Sequence, residues 1–376
     1  MNILVVFTYG VSLKLWHDQG LISREFALYK KLLEENPNLN FTFLTFGNNE
    51  DLEIQHIQNL NNFNIIPIYK YINFSEAKII NILKTIIFAL RFRKYNTNNF
   101  KIVKTNQLNG AWIAFVISRV LKSKLFIRTG FSPYLFAKYN KQKFYKILFF
   151  KYLTKLSVKY SHLYTVSSKN EKLELIDNLN LNSSKIKVRS NWILHTKYKD
   201  LNNRLDKVVL GVGRLEEQKN YFSIIEHLAN SDIGFHVVGD GSLKSKLSDF
   251  SEVKNVKMEF LGSLDNKDLQ QLYKKYKYYV IFSKYEGNSK SIKEALSAGC
   301  IVIANNLPSS EEIIQKDENG ILINIEKENL VDVINKLNGN KSIAKKLSYN
   351  AHKSAEQYSL NNYVTKELSD YFQVLK

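Results

Sequence analysis

YYVIFSKYEGNSKSIKEALSAG, residues Tyr278–Gly299, holds a strand, a loop and a helix in one run. YYVIFS is an unbroken apolar stretch rich in aromatic and β-branched residues, which reads as a strand covered on both faces. It runs out into a loop at Glu286 and Gly287. SKSIKEALSAG then has a helical pattern, with Ser289 or Ser291 as N-cap and Gly299 as its stop. A buried strand feeding a helix through a short glycine loop is the unit of a parallel α/β sheet. The same run sets two carboxylates eight positions apart, Glu286 on the loop and Glu294 one turn into the helix.

The alternation repeats along the chain. Strand candidates are ILVVFTY, NFTFLTF, FNIIPIY, KIVKTN, KLFIRT, LYTVSS and KIKVRSN, and then a second series of KVVLGVG, GFHVVGD, VKMEFLG, YYVIFS and CIVIANN. Helical patterns of about 10 to 18 residues separate many of them. Two series predict two doubly wound, Rossmann-like α/β domains. The polar segment Thr196–Lys207, TKYKDLNNRLDK, precedes a fresh buried strand and reads as the linker. The expected boundaries are therefore 1–195, a linker over 196–207, and 208–360, with a last helix over about 361–376. No internal repeat of about 20 to 50 residues is visible.

The chain has 376 residues, 44% of them apolar, which suits two or three globular domains. A single cysteine, Cys300, excludes an internal disulfide and fits a reducing compartment. The apolar run AWIAFVIS, Ala111–Ser118, is far shorter than the roughly 18 residues that span a bilayer. The start, MNILVVFTYG, lacks the basic region of a signal peptide and reads as a buried first strand.

Chemistry concentrates in the second half. In VVLGVGRLEEQKN, Val208–Asn220, a strand ends in Gly211 and Gly213 and is followed by Arg214 and Lys219. Glycines there let backbone approach a ligand closely, and the two cations suit a phosphate. VVGDGSL, Val237–Leu243, is a second glycine turn, with Gly239 and Gly241. The first-turn amides of the helix at Lys290 point back toward the Glu286 loop and make an anion site. A carboxylate accepts two hydroxyl bonds, so Glu294 suits the vicinal diol of a ribose and Glu286 the hydroxyls of a sugar. Taken singly, each of these residues has a bland alternative: a solvated lysine or a helix-surface glutamate. Their combination at neighbouring strand ends is what points to a sugar nucleotide.

These residues resemble those of retaining glycosyltransferases of the GT-B fold, family 4. The Glu-x7-Glu pair is matched by Glu286 and Glu294. The GRL…K segment is matched by Gly213, Arg214, Leu215 and Lys219, and the G-D-G turn by Gly239, Asp240 and Gly241. SEEII at Ser310–Ile314 and NGILI at Asn319–Ile323 are similar to its later landmarks. The likeness is strong over about residues 163–325 and weak before. It implies two domains facing each other across a cleft, with the last helix crossing back onto the first. It implies Arg214 and Lys219 as the cations on the donor diphosphate and Glu286 on the donor sugar. It further implies Glu294 on the ribose and the amides of Gly287, Asn288 and Ser289 in the donor site. Lys290 adds a cation and Ser291 a hydroxyl to the phosphate loop. It implies transfer with retention by front-face attack. Glu286 is then a sugar ligand in preference to a covalent nucleophile. No Asp-x-Asp pair occurs, so no metal or other cofactor is expected, the cations taking a metal's place.

In the first half, Ser12–Glu35 predicts one long amphipathic helix, and Gly20 occupies the position of the family's glycine loop beside the donor phosphates. Asn106 and Gln107 at one strand end, and Arg128 at the next, are the acceptor-side candidates; many relatives carry a histidine where this chain has Arg128, Thr129 and Gly130. His17-Asp18 reads as structural. The net charge is +19, and from Ala77 to Asn170 there are 19 Lys or Arg and no acid, where proportion would place about nine acids. The remainder is balanced. Within this block, Lys151, Lys155 and Lys159 form one stripe of a helix, with Leu148, Tyr152 and Leu156 beside it. That combination suits an anionic membrane surface. The expected partners are a nucleotide-diphosphate sugar, a glycan or lipid-linked acceptor, and the inner face of a membrane approached from the cytoplasm. The alternatives are a basic nucleic-acid-binding protein, for which no motif is present, and a catalytically silent sugar-nucleotide binder.

Overall fold

The computed structural model describes residues 1–376. Its chain divides into two compact units, Met1–Arg189 with Tyr363–Lys376, and Ser190–Asn362.

The first unit is built on a seven-stranded sheet. Its strands are β1 (Asn2–Val6), β2 (Asn40–Thr45), β3 (Asn64–Pro67), β4 (Ile102–Thr105), β5 (Lys124–Arg128), β6 (Leu163–Val166) and β7 (Ile186–Val188). The order is β3-β2-β1-β4-β5-β6-β7, all parallel. The second unit has β8 (Leu205–Val212), β9 (Gly234–Val238), β10 (Met258–Phe260), β11 (Tyr276–Ile281), β12 (Ile301–Asn305) and β13 (Ile321–Ile323). Its order is β10-β9-β8-β11-β12-β13, again all parallel. In each sheet the order reverses once, between β1 and β4 and between β8 and β11. At such a switch point the connections leave in opposite directions and open a crevice beyond the strands' carboxyl ends.

Covering both faces dictates the composition of the strands. In the second unit Val209, Val237, Tyr278, Val280 and Ile303 pack with Ile224, Leu228 and Ile334 on one side of the sheet. Leu210, Val238, Tyr279, Ile281 and Val302 pack with Ile292, Leu296 and Ala351 on the other. Successive residues alternate between two apolar cores, so both parities must be apolar, and each such side chain buried contributes about 1.5–3 kcal/mol.

Several expectations are corrected. Ser12–Glu35 is two helices, Leu13–Asp18 and Ile22–Glu35, because Gly20 adopts φ +65 and breaks the helix there. Thr196–Lys207 is not a free connector. Thr196 donates its amide to Ser297 Oγ at 2.9 Å, and buried Arg204 donates to the Tyr276 carbonyl at 3.2 Å and the Ala298 carbonyl at 2.8 Å. β8 therefore starts at Leu205, and the chain divides at Arg189 instead. β13 is a three-residue strand absent from the expected series. The closing helix, Leu360–Leu375, joins the first unit from Tyr363 onward. There Glu367 pairs with Lys104, both fully buried, and Asp370 pairs with Arg189 at 2.5 Å and Lys187 at 3.2 Å.

Candidate functional site

The switch point of the second sheet gathers the motifs. β8 runs out after Val212 into Gly213 and Arg214, and the neighbouring β11 runs out into the loop that carries Glu286. Gly213 has φ +153, and a Cβ there would fall 2.8 Å from Lys219 Cε. Gly239, φ +141, lies so close that a Cβ would sit 2.0 Å from the Gly213 carbonyl oxygen. The two glycine turns are thus zipped together: Gly213 N–H donates to the Val238 carbonyl and Leu215 N–H to the Asp240 carbonyl, both at 2.9 Å. Glycine at 239 serves this close packing, and Gly241 likewise abuts the Leu215 backbone.

Beyond Arg214 a short turn, Glu217–Lys219, swings back toward the β11 loop. Gln218 bridges the two loops through Lys284 N–H at 2.8 Å and the Tyr285 carbonyl at 3.1 Å. This sets Lys219 Nζ 2.6 Å from Glu286 Oε1, with side chains 15% and 10% exposed. Ser283 Oγ donates to the same oxygen at 2.7 Å. Sequence reasoning assigned Lys219 to phosphate and Glu286 to sugar; the structure brings them together as an ion pair. Arg214, by contrast, is exposed; its carbonyl accepts from the Glu216 amide at 2.8 Å, and its guanidinium makes no hydrogen bond within the protein.

The helix Lys290–Ser297 starts beside this pair. Its N-cap is Ser289, not Ser291: Ser289 Oγ faces Ile292 N–H at 3.5 Å. Ser291 Oγ instead accepts from Tyr279 OH at 2.7 Å, and that phenol lies 3.5 Å from the Val212 carbonyl, tying the helix start to the end of β8. No backbone carbonyl accepts from the amides of Gly287, Asn288 or Ser289. Glu294, half-buried one turn in, lies within electrostatic reach of Tyr273 and Tyr279. Burial holds both phenols well above their ordinary pKa, and the Glu294 charge adds to it. Arg214, Lys219, Glu286 and the helix that carries Glu294 thus all follow the carboxyl ends of the adjacent strands β8 and β11.

Other parts of the neighbourhood were not legible. Asn288, whose backbone amide is the expected donor contact, turns its side chain inward: its Oδ1 accepts from Asn191 N–H at 2.9 Å, Ser190 Oγ at 3.1 Å, and Lys293. Lys293 is fully buried, bonds Ser190 Oγ at 2.6 Å and the Asn191 carbonyl at 3.0 Å, and lies 4.3 Å over the Tyr358 ring. Burial pushes its amine well below the ordinary lysine pKa. Lys290 lies 5.3 Å over the Trp192 ring. The Tyr221 hydroxyl is buried against the gap left by Gly213 and has no partner. Only its place just after the GRL…K segment could have drawn notice to it.

In the first unit, Asn106 and Gln107 follow β4 at the β1/β4 switch point. Gln107 Oε1 accepts from Gly130 N–H at 2.8 Å, and Asn106 is buried. Arg128, the other acceptor-side candidate, is enclosed. It is 7% exposed, lies 5.8 Å over the Tyr363 ring, and is held within the electrostatic reach of Glu367 and Glu25. A guanidinium so enclosed is part of the seat of the closing helix. Gly20 sits in the turn between the first two helices of this unit.

Residues 196–354 match the family Glycosyl transferases group 1. The chain is 27% identical over 276 residues to the Campylobacter jejuni N-acetylgalactosamine-N,N'-diacetylbacillosaminyl-diphospho-undecaprenol 4-alpha-N-acetylgalactosaminyltransferase, covering 68% of this chain and 72% of that one. It is 32% identical over 122 residues to the Escherichia coli UDP-Gal:alpha-D-GlcNAc-diphosphoundecaprenol alpha-1,3-galactosyltransferase, 30% of this chain and 32% of that one. Anabaena HepE, solved in complex with UDP and glucose, superposes with a TM-score of 0.74 at 14% identity over 99% of both chains. The nucleic-acid alternative finds no support among these relatives. With a glycosyl transferases group 1 domain in its second unit and two parallel-sheet α/β domains of the GT-B type, the chain is a glycosyltransferase.

Proposed function

We propose that the enzyme transfers a sugar from a nucleotide-diphosphate sugar to a lipid-linked glycan, with retention of configuration and without a bound metal. The observation that carries the reading is the convergence of Arg214, Lys219, Glu286 and the Lys290–Ser297 helix start at the β8/β11 switch point. When the sugar leaves, negative charge grows on the terminal phosphate. An exposed guanidinium, an ammonium and helix-start amides fixed around one crevice stabilise that charge without reorganising. In this reading Arg214 is ready for phosphate in the free enzyme, and Lys219 exchanges part of its bond to Glu286 for the diphosphate. Glu286 then accepts from sugar hydroxyls and Glu294 from the ribose. Gly213 and Gly239 keep the floor of the crevice free of side chains, and Lys290 and Ser291 lie at its helix side.

The acceptor class draws support from the names of the relatives, two of which act on undecaprenol-diphosphate glycans, and the donor from UDP in the Anabaena structure. No helix is long and apolar enough to cross a membrane, so an enzyme working on such acceptors would meet the bilayer from its surface, here the cytoplasmic face. The test is transfer from UDP-sugars to a polyprenyl-diphosphate glycan in EDTA, with the anomer assigned by NMR. Turnover with an unchanged anomeric configuration supports the proposal. Inversion, or a strict requirement for a divalent ion, overturns the corresponding part. Donor binding unaltered by Glu294→Ala overturns the ribose assignment.

A further inference from the structure

Two helices of the first unit carry apolar stripes on their exposed faces. In Lys78–Leu90 the buried residues are Asn81, Thr85, Phe88 and Ala89, while Ile79, Leu83, Ile87 and Leu90 stand 74%, 55%, 49% and 57% exposed. Asn81 is held inward by accepting the Ser75 amide at 2.8 Å. In Phe144–Tyr160, Leu153, Thr154, Ser157 and Val158 are buried, and Tyr145, Phe149, Tyr152 and Leu156 are more than half exposed. Both exposed sets recur every three or four residues, so each forms a continuous stripe. Both helices pack against Ala111–Leu121, so they flank it as neighbours. A water-facing helix would carry polar residues at the positions of these stripes.

The surroundings are cationic. No Asp or Glu occurs from Ala77 to Asn170. Where Ala111–Leu121 and Phe144–Tyr160 end, an open basin of about 450 Å³ is lined by Arg119, Lys124, Lys159, Lys185 and His162. Beside the start of Phe144–Tyr160, a groove of about 490 Å³ is lined by Phe136, Tyr145, Lys146 and Phe149.

Each possible occupant can be weighed by charge and polarity. A second copy of this chain would set one uncompensated positive field against another. A nucleic acid would take the lysines and leave the aliphatic stripes wet. An anionic bilayer satisfies both: headgroups take the cations, and the upper acyl region takes Ile, Leu and Phe, with Tyr at the boundary. We propose that the face formed by Lys78–Leu90 and Phe144–Tyr160 is the membrane-docking surface of this enzyme, both stripes lying about 5–10 Å into an anionic lipid interface. This deepens the lipid-linked-acceptor reading, and it assigns a role to Lys78–Leu90.

The test is flotation of the full chain with phosphatidylglycerol–phosphatidylcholine vesicles and with phosphatidylcholine alone. Wild type is expected to float with the anionic vesicles only, and less at about 1 M salt, where the Debye length falls to about 3 Å. Ile79→Glu/Leu83→Glu and Phe149→Glu/Tyr152→Glu are each expected to reduce partitioning about tenfold or more. Val253→Glu, at a 75% exposed apolar residue of the second unit, is expected to float like wild type. Circular dichroism melts check folding, and Leu83→Ser/Tyr152→Ser serves as a milder pair if a glutamate variant melts early. Wild type that stays down with anionic vesicles, or stripe variants that float undiminished, would overturn the proposal. So would a wild-type dimer, seen by analytical ultracentrifugation, that Ile79→Glu/Leu83→Glu dissociates. Hydrolysis of the donor without vesicles separates the two readings: docking can fail while hydrolysis persists, and loss of hydrolysis in wild type counts against the proposed function alone.

Discussion

Arg214 and Lys219 are both cations beyond the end of β8, and the structure predicts that losing them has different consequences. The Arg214 side chain is exposed and makes no internal hydrogen bond, so Arg214→Ala should change stability by no more than about 0.5 kcal/mol. Removing one donor aimed at a developing anion should still cost about 10²–10³ in kcat, or about 3–4 kcal/mol. Lys219→Ala removes a comparable interaction from the transition state and also strands Glu286, only 10% exposed, with Ser283 as its remaining partner. Breaking a fully buried pair costs about 3–5 kcal/mol; the residual solvent contact here reduces that to about 2–3 kcal/mol. In a unit of this size that is a fall of roughly 5–10 °C in Tm. Lys219→Met/Glu286→Leu should recover much of the loss in Tm and remain inactive. Differential scanning fluorimetry beside donor turnover reads both quantities. If Arg214→Ala melts as early as Lys219→Ala, or if Lys219→Ala melts like wild type, the ion-pair reasoning is wrong.

Gly239→Ala would drive a methyl to 2.0 Å from the Gly213 carbonyl at a φ of +141, so it should lower stability by about 2 kcal/mol or more and blunt donor binding, read by thermal melts and calorimetry. Glu367→Gln leaves the buried Lys104 ammonium without its carboxylate and should destabilise by about 3–5 kcal/mol in urea titrations, whereas Lys104→Met/Glu367→Leu should be near neutral. Glu171, whose Oε2 accepts from the Ser167 amide and hydroxyl, is pushed by burial from 4.5 up to about 7. A carboxyl whose folded pKa is raised favours its protonated form, so folding weakens as pH climbs from about 4.5 through about 7. Glu171→Gln mimics the protonated form and should exceed wild type by up to about 3 kcal/mol at pH 8, with no difference near pH 4. A constant difference across that range would contradict the assignment.

The strands were legible because parallel strands covered on both faces need apolar residues at both parities, and runs such as KVVLGVG and YYVIFS carry that signature. β13 escaped because three residues give no period. The helix break at Gly20 was hidden because the apolar pattern continues across it, while only the backbone reports the positive φ. The candidate-site residues could be grouped from sequence because each follows a strand end, and the sheet order brings the β8 and β11 ends together. What the chain does not spell out is which way a side chain turns. Arg128 ends a strand like a ligand residue yet faces the closing helix, whose arrival from more than two hundred residues away no local pattern announces. Asn288 and Lys293 likewise staple Ser190 and Asn191, a pairing set by tertiary contact. Ile79, Leu83, Ile87 and Leu90 read as core by composition, and only their exposure marks them as surface.

The most direct test of the donor crevice is calorimetric binding of nucleoside diphosphates in EDTA to wild type and to Arg214→Ala. The account predicts that at least one, UDP foremost, binds wild type without metal, and that the substitution weakens it about tenfold or more. Equal affinity in the two proteins, or binding only when a divalent ion is restored, would contradict it.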